Sequence, residues 1–468
     1  MVFSNLIFLG IFLPIVLGSY YLVYAVCKNV SVLNVILLVA SLFFYAWGEP
    51  VWVVVLAATA LLDYWNGRRI AVYKGTWKAK AALFTSIFID LGILFCFKYL
   101  VFAVESINQC LSLALPVPSL TLPIGISFYT FQSLSYLLDL YWGKVAVQTK
   151  YSNYLLYLSM FPQLVAGPIV RYSDIAAQLQ QRVLTLHGFC YGAGRFMCGL
   201  GKKVILANYA GEAAVLLLDG NIAQLSVAGA WLGILLYAFQ IYFDFSGYSD
   251  MAIGLGRMFG FVYQENFRYP YLSCSITEFW RRWHISMGFF FRDYVYIPLG
   301  GNRRFQLRNI MVVWALTGLW HGASWNFVCW GLYYGCLLLL EKTWLLSFFR
   351  RHTGWGWCWT AIAVLIGWSV FYYTDLSQWL QFFCTLLGLA PGSSWLDLRT
   401  RSVLQQYALL LPVLALASTP VPAQLMTRLQ KRQRLFAAVQ AAGVLLLGVV
   451  CLILLVGQSY NPFLYFRF

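Results

Sequence analysis

The chain has 468 residues, of which 61% are hydrophobic and only 10% charged. A soluble domain usually carries about 25% charged residues, so a soluble two-domain reading of this length fails, and a bilayer is needed to absorb the apolar surface. The formal charge of +16 does not signal nucleic acid. The basic residues sit mostly in short loops between apolar segments, where they suit an anionic lipid leaflet.

Apolar segments occur near 3–26, 32–47, 51–65, 82–104, 121–141, 152–170, 189–207, 224–243, 309–340, 357–374, 403–420 and 435–457. A helical span needs roughly 20 apolar residues. The pattern predicts an all-α polytopic membrane protein of about 11 transmembrane helices, some short, tilted or re-entrant. The opening MVFSNLIFLGIFLPIVLGSYYLVYAV lacks a basic leading region and reads as a retained first span. No polar linker divides the chain, so 1–468 reads as a single integral-membrane domain, with its motifs concentrated at about 121–340.

Loop charge gives an orientation. Arg68, Arg69, Lys74, Lys78 and Lys80 are expected on the cytoplasmic side, as are Arg428, Lys431, Arg432 and Arg434. Counting spans outward from each cluster places both termini on the extracytoplasmic face. The loop 105–120, with Pro116, Pro118 and only Glu105 charged, suits that same face.

The stretch 264–308 breaks the apolar pattern. It holds seven arginines, no lysine and many aromatics. It is too polar to span simply and too aromatic for a free loop. A helix at the interface, or one re-entering a protein-lined cavity, satisfies both facts. Thr277, or alternatively Ser275, before Glu278 marks a helix start.

Four histidines are present: His187, His284, His321 and His352. His187 and His352 sit in polar surroundings and read as solvated. His321 lies in MVVWALTGLWHGASWNFVCWGLYYG, apolar on both sides, where an ionisable group is costly and needs partners. Gly318, Gly322, Ala323 and Ser324 around it permit close approach of backbone or substrate. It is either a functional group or a histidine bridging two helices. His284 follows Trp280, Arg281, Arg282 and Trp283, whose guanidinium and indole groups can stack and stiffen the stretch. A supporting role is as consistent with that setting as direct catalysis.

Two histidines are too few for zinc; Asp293 adds at most a weak third, and no metal site is expected. The 11 cysteines show no C-x-x-C pair and read as small core residues. Asp244, Ser246, Gly247, Ser249 and Asp250 interrupt FQIYFDFSGYSDMAIGLGRMFGF. Intramembrane acids face partners or water, and pairing with the arginine-rich stretch is one expectation. A salt bridge that only locks helices is the other.

No G-x-S-x-G elbow, P-loop or strand-borne dinucleotide fingerprint occurs. Without a serine nucleophile, a buried histidine points to general-base chemistry, taking a proton from an acceptor hydroxyl as it attacks an activated acyl group.

The runs YFDFSGYSDMAIG, ENFRYPY, SITEFWRRWHIS, FFRDYVYIPLGGNR and LTGLWHGASWNFVCWG occur in that order. Together they resemble the membrane-bound O-acyltransferase family, in its bacterial, alginate O-acetyltransferase-like branch. The opening segment, LPIGISFYTFQSLSYLLDLY, FPQLVAGPIVRY and the ending NPFLYFRF are similar to the same branch. The likeness is weaker over 345–430.

The resemblance implies a bundle around a central tunnel, completed by interfacial helices, with His321 as the family's invariant histidine. His284 corresponds to a position that is Asn or Asp in many other members, which implies a supporting role. The resemblance also implies an acyl donor entering from the cytoplasm, with acetyl-CoA as the expected donor and no permanently bound cofactor. Arg281, Arg282, Arg292 and Arg303 suit its phosphates. Trp283, Asp293, Trp320 and Asn326 join them as donor or tunnel candidates, with Asp244, Ser246 and Asp250 as buried polar support.

The expected setting is the bacterial inner membrane, surrounded by lipid and by polysaccharide synthesis and export machinery. The resemblance also implies an extracytoplasmic serine-hydrolase-like acetyltransferase as partner, and no such domain is evident in the chain. The alternatives are D-alanyl transfer toward teichoic acid from a carrier protein, a transporter or channel with a His–Asp proton relay, and a scaffold of an export complex.

Overall fold

A computed structural model describes residues 3–165, 167–392, 394–430, 433–457, 460 and 464, without the side chains of 430 and 433–436. Lys431 and Arg432 of the second basic cluster, the side chain of Arg434 and most of the ending NPFLYFRF lie outside the described residues. The described residues are helical with no strand. The chain is an all-α polytopic membrane protein.

Seven described helices are long and apolar enough to cross a bilayer: Phe8–Cys27, Val30–Gly48, Trp77–Leu111, Val227–Met258, Trp325–Arg351, Thr353–Tyr372 and Ala437–Gly457. An eighth is counted if Leu410–Ala417 and Val421–Leu429 are one span, bent by 67°. The bend falls at Thr419 and Pro420, where proline cannot continue the backbone ladder.

The difference from about 11 has local causes. Trp52–Val72 carries Asp63, Arg68 and Arg69, and Ile126–Tyr141 has only 16 residues. Residues 152–170 split into Tyr151–Ser159 and the short Phe161–Leu164, which has proline in its first turn. Residues 189–207 pass from Leu186–Gly201 into a π-helical turn, Lys202–Ala207.

The segment 309–340 is not one span. Gln306–His321 and Trp325–Leu340 are separate helices packed against each other. Gly322 adopts an extended conformation, and Ser324 follows as the cap of the second helix. The two helices approach through Gly318 and Gly331. A Cβ at Gly318 would overlap the carbonyl of Phe327, and one at Gly331 the carbonyl of Trp314. Only glycine allows that backbone approach.

The backbone clusters into two compact units, each assembled from separated stretches of chain. One comprises Met1–Phe196 and Ser249–Glu265, the other Met197–Tyr248 and Asn266–Phe468. This interleaving explains why no linker is visible in sequence. In the first unit, Arg195 bonds the carboxylates of both Asp250 (2.6 Å) and Glu265 (2.6 Å). The second unit contains the segments bearing His284 and His321 and a core rich in aromatics, including Trp283, Trp314, Trp330, Trp368 and Phe371.

Candidate active site

The break after His321 changes the setting of that residue. It ends a helix rather than sitting in the middle of one, and it is partly accessible, whereas Trp320 before it is buried. The cost of a mid-span ionisable group therefore does not apply to it directly. Its imidazole meets three aromatic rings, with centroids 4.9 Å from Trp320, 4.9 Å from Trp330 and 5.3 Å from Phe371, all edge-on. These walls fix the ring orientation and keep its surroundings apolar.

The break itself is tied down. Asn326, fully buried, receives a hydrogen bond from Ser324 Oγ and donates through Nδ2 to the carbonyl of Val370 (3.3 Å). A Cβ at Gly322 would overlap the ring of Phe327.

His284 joins the same cluster. The chain runs Ile276–Arg282, turns at Trp283 and His284, and resumes as Ile285–Phe291. His284 has φ 46° and ψ 51°, a left-handed conformation that costs about 1 kcal/mol or more outside glycine. Asn266 stabilises it. The backbone carbonyl of Asn266 accepts from Ile285 N (2.9 Å), and its Oδ1 accepts from Ser286 N (3.0 Å) and Ser286 Oγ (2.9 Å).

The ring of His284 then lies edge-on to Trp320 at 5.7 Å. Trp320 thus touches both histidines. Burial pushes the His284 imidazole down to about 4, so it is neutral at physiological pH. That makes it a weak proton acceptor, better suited to shaping the site than to removing a proton.

The helix before the turn is capped by Ser275, the second of the two residues the sequence offers, and not by Thr277. Ser275 Oγ accepts from Glu278 N (3.0 Å), and Glu278 accepts from Cys274 N (2.9 Å). The expected stacking of arginine on indole is replaced by other contacts. Trp280 packs on Trp314 (4.6 Å), Trp330 (5.5 Å) and Tyr334 (4.8 Å). Trp283 packs on Trp368 (4.9 Å).

The arginines divide by use. Arg282 pairs with Glu278 (2.6 Å) and Arg292 with Asp293 (2.6 Å), so both are engaged locally. Arg281 and Arg303 are exposed.

The indole N–H groups of Trp280 and Trp330 and the hydroxyl of Tyr334 are buried without an acceptor among the described residues.

Among the described contacts, the acids of Val227–Met258 pair with cations of other segments. Asp244, buried, pairs with Lys203 (2.8 Å) and accepts from Leu464 N (2.9 Å). Asp250 pairs with Arg195. The reason is local: a Cβ at Gly247 would lie 2.8 Å from the carbonyl of Gly199, so the helix bearing Lys203 runs close alongside. Ser246 is buried on the same helix.

Sequence reasoning missed Lys203, Arg195, Asn266, Trp330 and Glu341. Glu341 carried a readable signal, as a lone acid closing the run CLLLLE. His187 and His352 are exposed.

Comparison with known proteins adds an independent line. The model of the membrane-bound O-acyltransferase family matches residues 146–380. Over 493 aligned positions the chain is 39% identical to a probable alginate O-acetylase of Pseudomonas putida, covering all of both proteins. It is 32% identical to a peptidoglycan O-acetyltransferase of Helicobacter pylori, covering 83% of this chain and 80% of the relative. A teichoic acid D-alanyltransferase of Streptococcus thermophilus is 29% identical over 47% of this chain and 57% of that protein.

Proposed function

The chain belongs to the membrane-bound O-acyltransferase family, in its alginate O-acetyltransferase branch, and from that premise we propose that it moves an acetyl group from cytoplasmic acetyl-CoA toward hydroxyls of an exported polysaccharide. The observation that carries this reading is the aromatic-walled, partly accessible His321, with His284 on the same Trp320 ring.

His321 serves as general base. It accepts the proton of the attacking hydroxyl as the new ester bond forms at the acyl carbon. The thioester C–S bond breaks, and the proton passes to the departing thiolate, so charge and atoms balance. His284 shapes the site as a neutral group. Arg281 and Arg303 are exposed and suit the donor's phosphates.

The donor remains inside the cell and the polymer outside, so the acyl group alone crosses the membrane. The enzyme sits in the bacterial inner membrane with both termini on the outer face. A serine-hydrolase-like acetyltransferase on that face takes the acyl group onward, within the polysaccharide synthesis and export machinery.

A second reading, D-alanyl transfer from a carrier protein, is supported by the 29% identical D-alanyltransferase. One experiment separates them. Purified full chain is offered labelled acetyl-CoA or a D-alanylated carrier protein together with a hydroxyl-bearing oligosaccharide acceptor, and release of free thiol is followed. Consumption of acetyl-CoA alone supports the proposal; consumption of the aminoacyl carrier alone overturns it.

A further inference from the structure

We propose that Glu341 is a positioning residue of the active site, holding both histidines in register without touching substrate. Its carboxylate is fully buried at the end of the helix that starts just after His321. It accepts four hydrogen bonds. Oε1 receives Ile276 N (2.6 Å) and Trp359 Nε1 (3.2 Å); Oε2 receives Thr277 N (3.0 Å) and Thr277 Oγ1 (3.1 Å).

Three elements therefore converge on one side chain: the helix Trp325–Leu340, the helix Thr353–Tyr372 and the first turn of Ile276–Arg282. A buried carboxylate is expensive unless its oxygens are met by donors, and here both are. Charge-assisted bonds of this kind are short and directional, so they fix the short helix in both translation and rotation.

The short helix carries two contacts to the reacting centre. Trp280 projects from it onto Trp330, which walls His321. Its end leads into the left-handed turn at His284, whose ring rests on Trp320. The short helix is thus two contacts from His321 along each route, and Glu341 is one contact further. A mere anchor in the core would join elements that do not bear on the histidines.

The inference rests on His321 being the base, and the test keeps the two failures apart. Glu341→Gln retains the shape and one acceptor oxygen but replaces the other with a donor facing donors. Glu341→Asp retains the charge with a shorter reach. Each full-length variant is purified in detergent beside the parent and His321→Ala. Initial rates with acetyl-CoA and the same oligosaccharide acceptor are measured, together with carbethoxylation at His321 by diethyl pyrocarbonate, read by peptide mass spectrometry.

For Glu341→Gln, kcat falls about 10- to 100-fold with KM within about twofold, the range seen when supporting residues are removed. Glu341→Asp recovers part of kcat. The rate of His321 modification changes several-fold in parallel. If the parent itself does not consume acetyl-CoA, the donor reading fails, and the His321 modification rate alone decides on Glu341. Should Glu341→Gln fail to fold, Thr277→Val, which removes only the Oγ1 donor, lowers kcat about threefold or more on the same logic. Variants that fold and match the parent in both kcat and His321 reactivity overturn the proposal.

Discussion

Trp320 meets His284 edge-on, with ring centroids 5.7 Å apart. Because Trp320 also walls His321 at 4.9 Å, one buried indole organises two histidines from different elements. Removing it leaves a cavity between them. Trp320→Ala is expected to destabilise the protein by about 3–5 kcal/mol and to abolish activity, whereas Trp320→Phe retains the edge contact in part and keeps measurable turnover. Thermal unfolding in detergent and acyl-transfer rates check both.

The helix pair around His321 depends on the absence of side chains at its crossing. Gly318→Ala and Gly331→Ala each place a methyl on a backbone carbonyl of the facing helix. Backbone cannot move aside as a flexible side chain can, so each substitution costs about 1–3 kcal/mol or more and displaces His321. The expected result is a lower unfolding temperature and lost activity. Gly354→Ala, where a Cβ meets nothing within 4 Å, is the silent control.

Asp244 and Lys203 form a buried pair, and its two members are not equivalent to two separate charges. Lys203→Met leaves a carboxylate uncompensated and costs about 3–5 kcal/mol. The double variant Lys203→Met with Asp244→Leu recovers much of that loss. A double-mutant cycle on unfolding free energy measures the coupling. Retained acyl transfer in the double variant would also remove Asp244 from any proton relay with His321.

Acid sensitivity follows from His284. Burial holds its imidazole down to about 4 in the folded protein, against roughly 6.5 in an unfolded chain. Between those values the unfolded state binds the extra proton and the folded state does not. Stability is therefore fully present above about pH 6.5 and is lost as pH falls toward 4. His284→Phe should flatten this part of the stability profile, measured as unfolding temperature against pH. An unchanged slope would show that other groups carry it.

The membrane class and most helices were legible because a bilayer demands long apolar runs. The split of 309–340 was not, since Gly322 and Ser324 read as small residues within a span until Gly318 and Gly331 are seen to cross. His321 was legible as a costly polar residue and through the ordered motifs around it. Its partners were not. Trp330 and Phe371 look like ordinary apolar residues, and their facing of His321 depends on helix packing. Lys203 escaped notice although it lies inside the apolar segment 189–207, because its partner Asp244 belongs to a separate segment. Asn266 acts mostly through backbone groups of Ile285 and Ser286, which sequence does not label.

The account stands most directly on His321. Purified His321→Ala should keep the parent's unfolding temperature within a few degrees and still bind acetyl-CoA, while its acyl-transfer rate falls by about 10²- to 10⁴-fold, the usual contribution of a positioned base. His284→Ala should fall less far. A folded His321→Ala protein that transfers acetyl groups at near the parent rate would contradict the account.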